Sequence, residues 1–62
     1  MEEIDTFNKY VVGIQGDKIG MLMPPRELMT KDEALTLAAW LVALADPGGM
    51  RFAVILDAVQ ST

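Results

Sequence analysis

The sequence predicts an α+β domain in which an antiparallel β-hairpin precedes two α-helices (ββαα), and three features carry that prediction. Two apolar stretches flank Gly16-Asp17, the pattern of strands joined by a tight turn. Thr30 and Glu33 stand in the T-x-x-E spacing of a helix capping box ahead of a long apolar run. Phe52, Ile55, Leu56 and Val59 recur at i, i+3, i+4 and i+7, the spacing of one helix face. The chain, residues 1–62, reads as one small domain without repeats or low-complexity tracts.

Residues 1–6 carry Glu2, Glu3 and Asp5 and read as a flexible arm. Residues 7–23 form the expected hairpin. Gly16 at the first central position of a two-residue loop suits a type II′ turn, and with Gln15 opposite Lys18 the register is set. Ile14 then meets Ile19, Val12 meets Met21 and Tyr10 meets Met23 on one apolar side. The other side holds Val11 opposite Leu22 and Gly13 opposite Gly20. Facing glycines leave this side thin, so Val11, Gly13, Gly20 and Leu22 form a candidate contact surface that another backbone could approach, although strand twist or a bulge also accounts for such glycines. Lys9, Lys18 and Arg26 fall near the same side as a small basic patch.

Pro24-Pro25 ends the ladder, because neither residue can donate a backbone hydrogen bond. The first helix is expected over residues 30–46, with Met29 placed to staple its start and Asp32 and Glu33 complementing the positive end of its dipole. Every residue from Leu37 to Ala45 is apolar. At 3.6 residues per turn such a run reaches all sides of the helix. Ala34, Leu37, Ala38, Leu41, Leu44 and Ala45 share the stripe expected to face the core. Thr36, Ala39, Trp40 and Ala43 lie on the opposite side, where a large indole among small residues suits a helix–helix contact. This second stripe is the candidate oligomer interface; cover by the arm or a loop of the same chain is the competing expectation. The second helix is expected over residues 47–60, with Phe52, Ile55, Leu56 and Val59 facing the core. Asp46-Pro47-Gly48-Gly49 reads either as a loop or as Asp46 capping that helix with Pro47 at its first position. The two helices are expected to pair and pack on the apolar side of the hairpin.

Composition narrows the function. A chain of 62 residues with 52% apolar residues carries more hydrophobic surface than so small a core needs, which favours a homo-oligomer, a dimer first. With no histidine and no cysteine, the usual general base near neutral pH, a thiolate nucleophile and most transition-metal sites are missing. Asp32 and Glu33 are explained as cap and dipole partners, and Ser61, the sole serine, stands beside the C-terminus. The glycines match neither a dinucleotide fingerprint nor a phosphate loop. No catalytic residue, cofactor or metal is expected. The formal net charge is −4, much of it in the arm. Absence of cysteine fits an intracellular chain, and no membrane span or targeting segment is expected.

The runs FNKYVVGIQGDKIGMLMPP, MTKDEALTLAAWLVALAD and FAVILDAV resemble small proteins encoded by bacteriophages and prophages of Gram-negative bacteria, over nearly the whole chain. That resemblance implies a virus-derived protein acting in the cytoplasm of the bacterial host. The family has no established activity, so it assigns no residue a role. Two readings follow: a non-enzymatic oligomeric accessory protein that engages a host or phage protein, and, as the alternative, a β-ribbon DNA-binding regulator using Lys9, Lys18 and Arg26. The acidic balance and the lack of a basic stripe weigh against the second.

Overall fold

In the computed structural model, which describes residues 4–62, the chain order is β1 (Val12–Gln15), β2 (Lys18–Met21), α1 (Lys31–Ala45) and α2 (Met50–Gln60). This is the ββαα arrangement, with β1 and β2 antiparallel. Their register is Val12–Met21, Gly13–Gly20, Ile14–Ile19 and Gln15–Lys18, the pairing that the Gly16-Asp17 turn dictates. Gly16 has φ +63 whereas Asp17 is not in the left-handed region, the sign pattern of a type II′ turn.

The hairpin is shorter than the expected span of residues 7–23. Before β1 the chain turns instead of extending: Val11 N–H donates to the Asn8 carbonyl at 3.1 Å. The Asn8 side-chain amide occupies Val12 on its outer edge, its Oδ1 accepting from Val12 N–H and its Nδ2 donating to Val12 C=O, both at 2.9 Å. A short polar side chain has therefore displaced strand geometry by offering the backbone a local partner. Val11 sits at φ +48, a left-handed conformation that is unfavourable for a β-branched residue. Its carbonyl and that of Tyr10 accept from the successive Leu22 and Met23 N–H groups. Two consecutive carbonyls aimed at one partner mark a distortion of the ladder at its open end.

α1 starts where the capping box places it. Glu33 N–H donates to Thr30 Oγ1 at 3.0 Å and Thr30 N–H donates to Glu33 Oε1 at 2.9 Å, together contributing about 1 kcal/mol. The helix ends at Asp46, whose N–H donates to Val42 C=O. Asp46, Pro47, Gly48 and Gly49 form a turn, with Gly48 at φ +93 and Gly49 at φ +71, which settles the open choice in favour of the loop. Asp46 still caps α2, but across that loop: its Oδ2 accepts from Phe52 N–H at 2.7 Å. α2 consequently begins at Met50 rather than at residue 47.

The helix pair does not close over the hairpin. α1 packs on both strands, but among the described residues α2 makes no comparably extensive contact with any element. Phe52 alone of the expected α2 core stripe is half-buried, while Ile55, Leu56 and Val59 are exposed, at 55% and 60% for the first and last. α2 lacks the extensive contact with the hairpin that α1 has, so a stripe with the periodicity of a core face is left largely exposed. Val12, at 5% exposure, is the one buried apolar residue among those described.

The exposed surface quantifies this. The chain exposes 5671 Å², whereas a compact monomer of 6.8 kDa exposes about 4,000 Å². The exposed surface therefore exceeds that of a compact monomer by more than about 1,000 Å².

Candidate functional site

The residues singled out on α1 come together in one groove. Thr36, Ala39, Trp40 and Ala43 line it with Leu35 and with Ile4, Asp5 and Thr6. Of the expected flexible arm, residues 1–3 lie outside the described residues, while 4–6 run along α1. Trp40 Nε1–H donates to Thr6 C=O at 3.0 Å and Thr36 Oγ1–H donates to Asp5 C=O at 3.2 Å. The arm therefore supplies the cover that the sequence left open, and Trp40 is half-buried within its own chain. Leu37 and Trp40 differ by only about 60° around the helix, so a hairpin packed on one has the preceding arm within reach of the other.

The packed side of α1 accordingly includes Leu37, Trp40, Leu41 and Leu44, all half-buried. The open side is rotated from the expected one. It is centred on Leu35, 68% exposed, with Ala39 and Ala43 beside it. Leu35 falls before the apolar run and Val42 sits inside it, and periodicity alone did not single out either. Their signal is visible only when the hairpin's position fixes which side is left over.

That open side continues into a cleft between the helices. Leu35, Ala38, Ala39 and Val42 line it from α1, and Phe52 and Leu56 line it from α2. On the other flank of Phe52, Leu41, Val42 and Ala45 face Ile55, with Asp46 and Arg51 at the rim. The cleft is apolar at its centre. Its floor is held by the Asp46 cap, which fixes the first turn of α2 against the end of α1.

A second, smaller recess lies between the arm and the start of α1. It measures ≈ 80 Å³ and is lined by Phe7, Tyr10, Leu37 and Trp40 with Lys9, Asp32 and Glu33. This is space for a few waters rather than for a substrate. Lys9 Nζ pairs with Glu33 Oε2 at its edge. The Lys9 hydrogen bond, followed by that of the Thr30 backbone, pulls the Glu33 carboxyl down from 4.5 to about 2. The same hydrogen bond and charge push the Lys9 ammonium up.

The other surfaces are less organised. Gly13 is open, since a Cβ built there would meet nothing within 4 Å, but the Gln15 side chain lies over Gly20, 2.8 Å from such a position. Leu22 and Val11 are exposed beside them. The basic trio is divided: Lys9 is engaged by Glu33 and shares a groove with Arg26, while Lys18 stands at the turn end of the hairpin. Among the described residues no cluster of three or more His, Cys, Asp or Glu side chains has the spacing to hold a metal ion. No described helix is long and apolar enough to cross a membrane. No family model, curated protein or solved structure matches this chain.

Proposed function

We propose that the protein is a non-enzymatic, self-associating accessory protein that acts through protein–protein contact, of the phage-encoded kind its sequence resembles. The supporting observation is the surface excess, more than about 1,000 Å² beyond that of a compact monomer of the same mass, together with exposed apolar side chains spread over the chain, Ile4, Leu28, Leu35, Met50 and Val54 among them. Surface of that kind marks an interaction site. The β-ribbon reading has less support, because Lys9 is already paired with Glu33 and Lys18 and Arg26 do not share a groove.

Sedimentation of the full chain at micromolar concentration tests the proposal. The expected result is an oligomer, a dimer first, with little change between low and high salt, since an apolar interface depends weakly on ionic strength whereas phosphate-driven binding falls steeply. A chain that sediments as a monomer throughout the micromolar range, or that binds duplex DNA with a steep salt dependence, overturns it.

A further inference from the structure

We infer that the arm is an exchangeable segment: residues 4–6 of one copy fill the Trp40 groove of a second copy of this chain, with residues 7–11 as the hinge between arm and β1. The inference rests on the self-association reading above and names the segment that carries it.

The occupant of the groove is displayed within the chain itself. Thr36 Oγ1–H and Trp40 Nε1–H, one turn apart on α1, donate to the successive carbonyls of Asp5 and Thr6. A second copy carries the same residues, so every contact that closes the groove within one chain can form between two chains at equal strength. Exchange then depends only on the hinge and on the entropy of association. The arm is also easily detached. Ile4 and Phe7 are 85% and 72% exposed, so hydrogen bonds rather than apolar burial fasten it to α1.

The hinge is where the backbone is strained. Val11 sits at φ +48, which a β-branched residue adopts at a cost. Against that strain the closed turn is held by Val11 N–H donating to Asn8 C=O and by the two Asn8 side-chain bonds to Val12. Residues 7–11 belong to the strand that the sequence predicts, so opening the turn gives them the conformation their pattern encodes and returns Val11 to the β region. Pro24 and Pro25 cannot donate to a longer ladder, so the freed stretch projects from the hairpin instead of lengthening it. Extended, residues 4–10 reach roughly 23 Å. The shortest dimension of the chain is 27 Å, so this reach brings the arm to α1 of a neighbouring copy. A short hinge under strain is the geometry that favours such an exchange, and one two-fold operation fills both grooves.

The test mixes equal amounts of isotope-labelled and unlabelled full chain and records filtered nuclear Overhauser contacts, which arise only between protons of different copies. The expected result is a contact from the Trp40 indole of one copy to Thr6 of the other. Sedimentation reads the hinge, with circular dichroism as a check on folding. Val11→Gly removes the strain that opening relieves, once per copy, and should raise the dimer dissociation constant about tenfold or more. Asn8→Ala removes the two bonds that hold the turn closed and should lower that constant about fivefold. Opposite shifts from neighbouring substitutions do not arise from a general loss of stability. A native dimer in which Trp40 contacts Thr6 only within its own copy, or in which both hinge variants shift the constant in the same direction, leaves self-association standing and overturns the exchange. A native monomer refutes self-association and the exchange with it.

Discussion

The carboxylate of Asp46 is predicted to hold α2 in helical form, and its removal should melt α2 selectively. α2 has 11 residues, shorter than the ~12–15 at which isolated helices persist in water. Its Gly49 N-cap supplies no side-chain acceptor, so the 2.7 Å bond from Phe52 N–H to Asp46 Oδ2 is its side-chain cap. Replacing a capping acceptor by alanine costs about 1 kcal/mol, and a charge-assisted bond lies toward the upper part of that range. Since about 1 kcal/mol is a factor of roughly five in an equilibrium constant, Asp46→Ala should lower amide-exchange protection from Ala53 to Val59 about fivefold. Among the described residues α2 holds 11 helical residues and α1 holds 15, so the helical ellipticity can fall by at most about two-fifths. Asp46→Asn, which keeps an acceptor without the charge, should fall between. Exchange that is unchanged in α2, or that rises equally in α1, would refute the capping argument.

Two further predictions concern the hairpin end of the molecule. Glu33 has a folded value of about 2 against 4.5 unperturbed, so its stabilising contribution is fully present above about pH 4.5 and is lost as pH falls from there toward 2; the stability difference between native and Glu33→Gln chains, followed by denaturant titration, should shrink across that window, and a difference constant from pH 6 to 2 would contradict the pairing with Lys9 and Thr30. Val11→Gly should change stability by less than about 1 kcal/mol, because relief of the left-handed strain, about 1–2 kcal/mol, offsets the lost apolar contact of a side chain that is 44% exposed and the added chain entropy. The same change at Val12, relaxed and buried, should cost about 2 kcal/mol or more, so equal losses at the two positions would show that Val11 is unstrained.

Local chemistry made much of this fold legible. The Gly16-Asp17 turn set the whole register, because pairing one residue sets every other in a two-stranded ladder. Thr30 and Glu33 marked the start of α1 for the same reason: a capping box is satisfied by residues three apart, without tertiary help. Thr36, Ala39, Trp40 and Ala43, which share a stripe in the sequence, line one groove in space. Less legible was the stretch before β1, where Asn8 competes for Val12 through its side chain and alternation continues in sequence after the strand has ended in space.

What the sequence determined by itself was therefore the identity, order and pairing of the elements, all fixed by interactions between residues close along the chain. The tertiary structure alone decided which apolar faces are covered. Leu37 and Trp40 both lie on the packed side because the arm runs along α1 beside the hairpin, and Ile55, Leu56 and Val59 stay exposed because the Asp46 cap and the two left-handed glycines set the direction in which α2 leaves α1. Periodicity specifies that a face is apolar, but the direction in which a connecting loop sends that face sets what it touches.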